Sequence, residues 1–172
     1  MPLVYITGPA GSGKTAILNE LRRRGVTIYD EDEPSIGSAH NKQSGQAVGV
    51  PPASQRSPEW FNQHEWKVKA GVLEDLKSQS LSGLVLLCGN SLEPEQIQHY
   101  FDKVVYLHVD EETLRKRIAE RKENDYGKND HELDGILERY RQMDQTYSPS
   151  NSIVIDATQS IEKVASDILS AI

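Results

Sequence analysis

The chain holds a single cysteine, Cys88, among 172 residues. No disulfide can form within it, and a reducing compartment is its simplest home. No apolar run approaches the roughly 20 residues that cross a bilayer. The N-terminus leads straight into an apolar segment without a signal-peptide pattern. A cytoplasmic protein with no membrane partner is expected. Positive charge is also scarce: 19 Lys and Arg face 26 Asp and Glu, a formal net charge of −7. That balance excludes a general nucleic-acid or anionic-membrane surface. No internal repeat is visible, and the length suits one domain with a full core, as a monomer or homodimer.

What is present is concentrated near the start. Gly8-Pro9-Ala10-Gly11-Ser12-Gly13-Lys14-Thr15 fits G-x-x-x-x-G-K-[ST]. Glycines let such a loop fold back so that consecutive N–H groups converge on an anion. Lys14 adds a point charge, and Thr15 offers a hydroxyl to Mg²⁺. The expected ligand is the phosphate tail of a nucleotide, ATP with Mg²⁺, held by Gly8, Gly11, Ser12, Gly13, Lys14 and Thr15. The apolar run Leu3–Thr7 before the loop reads as a buried strand. Thr15 to Arg24 reads as a helix whose N-terminus joins the anion site. Arg22, Arg23 and Arg24 complement the far end of that helix dipole.

Apolar runs at Leu3–Thr7, Val26–Tyr29, Leu84–Cys88, Val104–Val109 and Ile153–Ile155 alternate with helical patterns, clearest in Leu133–Tyr147 and Ile161–Ile172. This predicts an α/β fold: a five-stranded parallel sheet with helices on both faces, which together with the Gly8–Thr15 motif resembles the three-layer P-loop NTPase architecture. Two polar segments fit neither pattern, Pro34 to Pro58 and Lys122 to Asp130. Loops this long are usually functional or mobile. The expected organisation is one domain, 1–172, with an acceptor-binding region at 34–80 and a lid at 121–131; solvated surface loops are the plain alternative.

A carboxylate is missing where P-loop proteins usually keep a second Mg²⁺ contact: the strand ending Leu87-Cys88-Gly89-Asn90 has no Asp. The acids follow the second strand instead, as Asp30-Glu31-Asp32-Glu33. Asp30 and Asp32, two apart, share a face if extended, at the strand end where open α/β sheets bind ligands. One is placed to hold Mg²⁺ and the other to orient or deprotonate an acceptor hydroxyl; an acidic solvating turn is the alternative. Ser57 to Trp66 is expected to begin a helix with Phe61, Val68, Val72 and Leu76 on its apolar ridge. Trp60 and His64 sit on one flank, as acceptor contacts or as packing, and Arg56 is a candidate for an acceptor anion.

The loop, the Asp-x-Asp and the five-strand rhythm resemble the shikimate-kinase and adenylate-kinase branch of small P-loop kinases. The resemblance to shikimate kinases implies that Asp30 serves the metal and Asp32 the acceptor. The Gly-Gly-Gly turn of those enzymes is replaced here by Cys88-Gly89-Asn90. Leu114-x-x-Arg117-x-x-x-Arg121 resembles the adenylate-kinase pattern leading into the lid, which implies Arg117 over the adenine and Arg121 on phosphate. The helix around Arg139 resembles the one after that lid, which implies a contact with the transferring phosphates. The segment at Asp156 and Ala157 is expected to line the adenine pocket through its backbone. The resemblance implies an ATP- and Mg²⁺-dependent kinase whose acceptor is a nucleotide, a nucleoside or a hydroxylated metabolite. A nucleotide-binding regulator that hydrolyses ATP slowly, without a dedicated acceptor, is the alternative. A guanine reader is not expected, because Asn41-Lys42-Gln43-Ser44 lacks the Asp of N-K-x-D.

Overall fold

The computed structural model describes residues 1–51, 57–122, 127–128, 130–147 and 151–172. Five strands form one parallel sheet: β1 (Leu3–Thr7), β2 (Thr27–Asp30), β6 (Val85–Cys88), β7 (Lys103–His108) and β8 (Ile153–Asp156). Their order is β2-β6-β1-β7-β8, so the chain steps outward on one side of β1 and then crosses to the other. The expected strands are found within a residue or two of their predicted ends. They are apolar along their length because both faces are covered.

Alternation in β1 shows why two layers of helix are needed. Val4 and Ile6 enter a core shared with Ile17, Leu18 and Leu21 of α1 (Lys14–Arg23) and Leu114 and Ile118 of α5 (Glu111–Glu120). Ile136 and Leu137 of α6 (Asp130–Thr146) and Val164 and Ile168 of α7 (Ile161–Ala171) complete it. Leu3 and Tyr5 enter the opposite core, with Leu73 and Leu76 of α3 (Val72–Ser80) and Ile97 of α4 (Pro94–Tyr100).

The acceptor region departs from the expectation. The segment read as a loop forms two strands, β3 (Gly37–Asn41) and β4 (Ala47–Val48). The expected helix from Ser57 through Trp66 stops early: α2 spans Pro58–Gln63, and the chain then extends into β5 (His64–Val68). His64 has φ −125° and ψ 151°. The three strands form an antiparallel sheet in the order β4-β3-β5. The reason is legible in hindsight. Trp66 and Val68 alternate with Glu65 and Lys67, which is the period of a strand, and β3 supplies the backbone partner that satisfies them.

Candidate active site

The phosphate loop follows β1 and the acids follow β2, both at the carboxyl ends of parallel strands. The loop after β1 folds back with Ser12 N–H donating to the Pro9 carbonyl at 3.1 Å. Gly13 takes φ 95°, a left-handed value that L side chains rarely adopt. Gly8 leaves no room either: a Cβ there would lie 2.7 Å from Ser12 Oγ and 3.0 Å from the Leu107 carbonyl. The Ser12 hydroxyl is buried without a partner, a cost of about 1–3 kcal/mol unless a ligand satisfies it. Lys14 curls over the loop and donates to the Gly8 and Pro9 carbonyls. Burial lowers its pKa, while the nearby carboxylates of Asp32 and Asp30 oppose that shift. An oxyanion-shaped cradle, an orphaned hydroxyl and a half-buried ammonium fit a phosphate chain. Thr15 stands exposed at the start of α1.

Beside the loop lies a cavity of about 230 Å³, lined among others by Gly13, Ala16, Ile17, Arg117, Ala157 and Gln159. Sites that enclose a whole drug-sized ligand run to roughly 300–1,000 Å³, so this one suits a base rather than a complete nucleotide. Arg117 links two of its walls. Its guanidinium donates to the Ser12 carbonyl at 3.3 Å and the Ala157 carbonyl at 2.8 Å, clamping the phosphate loop to the loop after β8. Ala157 N–H is spent on the His108 carbonyl at 2.8 Å. The wall therefore presents a side chain that the sequence reading passed over, Gln159. Its amide nitrogen donates to Asp156 Oδ2 at 2.9 Å. Asp156 also accepts from the Thr158 hydroxyl and N–H, which hold its carboxyl down to about 2.

The acids after β2 form a turn rather than an extended stretch. Asp32 N–H donates to Asp30 Oδ1 at 3.0 Å, closing an Asx turn, and Glu33 N–H reaches the Asp30 carbonyl at 3.0 Å. Asp30 is half-buried and Asp32 exposed, and both charges are felt at Lys14. Among the described residues no three His, Cys, Asp or Glu side chains form a metal-ligating cluster. Mg²⁺ would therefore rest on Thr15, one of these carboxylates, the nucleotide's own oxygens and water.

Between them sits Glu31, to which the sequence reading gave no role. It is buried and accepts from the Tyr5 hydroxyl at 2.8 Å, Asn90 N–H at 2.9 Å and Ser91 N–H at 2.8 Å. Burial raises its carboxyl above the ordinary range, against those donors. It pins the acid turn to β1 and to the loop after β6. On the far side of that loop, Arg139 of α6 donates to the Asn90 carbonyl at 3.3 Å. Arg121 is half-buried at the C-terminal end of α5. Gly127 packs where a Cβ would lie 2.6 Å from Ile136 Cδ1. The rest of the expected lid, residues 123–126 and 129, and Arg56 lie outside the described residues.

Where α2 meets β5, Trp60 and His64 stack with ring centroids 4.6 Å apart at 20°. The His64 Nδ1 and Trp60 carbonyl are 2.7 Å apart. Trp66 Nε1–H donates to the Glu31 carbonyl at 2.8 Å. That tie fixes the hairpin on the acid turn.

The chain matches known folds over almost its whole length. Shikimate kinase from Acinetobacter baumannii in complex with shikimate superposes with a TM-score of 0.60, 20% identity, and coverage of 99% of this chain and 92% of that one. A gluconokinase from Sinorhizobium meliloti 1021 gives 0.58, 17% identity, 97% and 89%. Deoxyadenosine kinase from M. mycoides with products bound gives 0.52, 15% identity, 98% and 97%. At these identities the likeness establishes the fold of small P-loop kinases. No curated protein matches the sequence significantly. Among the described residues, no helix is long and apolar enough to cross a membrane. The AAA_18 family model, an AAA domain, matches residues 4–142, and the chain belongs to that P-loop family.

Proposed function

We propose that the protein is an ATP- and Mg²⁺-dependent phosphotransferase acting on a small hydroxylated acceptor. The observation that carries this reading is the pairing of two groups at Lys14: a phosphate cradle beside a base cavity, and an acidic turn whose Asp30 and Asp32 charges reach the same ammonium and whose Glu31 carbonyl Trp66 ties to the hairpin. A pure nucleotide binder needs only the first.

Phosphoryl transfer asks mainly for positioning and charge neutralisation. Gly8, Gly11, Ser12, Gly13 and Lys14 hold the phosphate chain through N–H groups, a hydroxyl and an ammonium. Lys14 lies between the cradle and the acids, where charge moves during transfer. Thr15 and Asp30 would hold Mg²⁺, which neutralises phosphate oxygens when bound. Asp32, exposed at the tip of the turn, would accept the acceptor's hydroxyl proton or orient it. Arg139 and Arg121 approach from α6 and α5 as charge partners for the transferring group.

The choice of ATP over GTP rests on Gln159. Asp156 is ionised and can only accept, so it fixes which end of the Gln159 amide faces it. The nitrogen turns to Asp156, and the oxygen is left as an acceptor. An acceptor suits the adenine amino group and opposes the guanine carbonyl.

The test is an acceptor panel with Mg-ATP covering nucleosides, nucleoside monophosphates and hydroxylated acids. A specific phosphorylated product supports the kinase. ATP hydrolysis indifferent to every compound would favour the regulator instead. On the productive acceptor, Asp30→Asn should raise the Mg²⁺ requirement and Asp32→Asn should slow transfer, each by several kcal/mol at most.

A further inference from the structure

The antiparallel hairpin has two unlike faces. Register pairs Gly37 with Val68, Ala39 with Trp66 and Asn41 with His64, so these six residues share one face. That face turns toward the body: Gly37 and Ala39 are buried, and a Cβ on Gly37 would lie 2.3 Å from the Glu31 carbonyl and 2.4 Å from Trp66 Nε1. The opposite face carries Ser38, His40, Glu65 and Lys67. Its members satisfy one another, with Ser38 Oγ and His40 Nε2 at 3.0 Å and Lys67 and Glu65 at 2.7 Å.

The body-facing strip is aromatic and runs away from the acids. Trp66 touches the turn at Glu31, between Asp30 and Asp32. His64 lies two residues farther, about 7 Å along the strand, and Trp60 stacks on it. All three rings are half-buried. The bond between His64 and the Trp60 carbonyl holds the stacked pair in one geometry. Ordering aromatics in advance lowers the entropy cost of stacking a ligand on them. The six residues of this face include no Lys or Arg, the turn that carries Asp30 and Asp32 meets it at Trp66, and Lys42 reaches the Phe61 carbonyl beside the stacked pair. A ring would meet stacking surface there, and a hydroxyl would meet the carboxylates of the turn as acceptors.

We infer that the acceptor is a neutral, planar heterocycle bearing a hydroxyl, of the nucleoside class, stacked on Trp60 and His64 with its hydroxyl at Asp32. This rests on the phosphotransferase reading for the hydroxyl, but the ring platform stands on the hairpin alone. The chain's two tryptophans, Trp60 and Trp66, are both in this platform, so intrinsic fluorescence reports it without any turnover. Titration with adenosine, cytidine and thymidine should quench or shift that fluorescence saturably for at least one of them, and shikimate and gluconate should leave it unchanged. Trp60→Leu should weaken nucleoside binding at least tenfold by calorimetry. Trp60→Phe should restore most of it, and ATP binding to both variants checks that the fold is intact. Should the carboxylated compounds bind and the nucleosides not, the ring inference is overturned and the kinase reading survives. Should no nucleoside bind the wild type while ATP does, the ring inference is likewise overturned. Nucleoside binding with no phosphorylated product in Mg-ATP would uphold the platform and overturn the kinase reading.

Discussion

A carboxylate's neighbours, rather than its identity, decide what it does in this molecule. Asp156 is held ionised by Thr158 and thereby fixes the Gln159 amide. Wild type should bind ADP about tenfold or more tighter than GDP, about 1.4 kcal/mol or more. Asp156→Asn, which frees the amide to flip, should bring the ratio toward one in calorimetry with each nucleotide. Glu31 is the opposite case, with its carboxyl raised by burial. The folded state keeps its proton to higher pH than the unfolded state does. Its contribution is therefore full below the ordinary carboxylate pKa of about 4.3 and is lost as pH rises through the raised folded value. The stability difference between wild type and Glu31→Gln should shrink over that rise in thermal melts across pH. A difference that grew with pH would mean that the three donors outweigh burial.

At the scale of elements, the hairpin and the acid turn behave as one unit joined at Gly37, Trp66 and Glu31. Gly37→Ala places a methyl against the Glu31 carbonyl and the Trp66 ring. Overpacking of this kind costs about 1–3 kcal/mol. Denaturant unfolding should show that loss, and acceptor turnover should fall more than ATP binding, because the displaced element bears on the acids and not on the cradle. Equal losses in both would mean that the hairpin is not a separate functional unit.

For the whole molecule, nucleotide binding should act as a clamp, because the cavity is built from the two ends of the chain. Ser12 and Gly13 come from its start, Ala157 and Gln159 from its end, and Arg117 ties them together. Mg-ATP at 100 times its Kd should add about 2.7 kcal/mol, which raises Tm by roughly 5–10 °C for a chain of this size. Lys14→Ala should remove most of that rise and nearly all turnover while its melt without nucleotide stays close to wild type. A full rise in the variant would detach Lys14 from the phosphate chain.

The phosphate loop and the parallel sheet were legible in the sequence because both are local codes. Gly8 to Thr15 is contiguous, and strands covered on both faces read as apolar runs. Arg117 was singled out through the resemblance of its motif to the adenylate-kinase pattern, and the fold sets it between the Ser12 and Ala157 carbonyls. The hairpin was misread: β5 depends on β3, paired across the stretch from Asn41 to His64, and aromatic residues at short spacing suit helix and strand alike. The acid turn shows the same limit. Spacing alone paired Asp30 with Asp32, but only the fold shows that Glu31 turns inward to Tyr5, Asn90 and Ser91. Gln159 carried no signal until Asp156 fixed its amide beside a cavity. Contiguous motifs and burial patterns are written along the chain, whereas the partners that give a side chain its task are set by contacts between segments distant in sequence, and those exist only in the folded molecule.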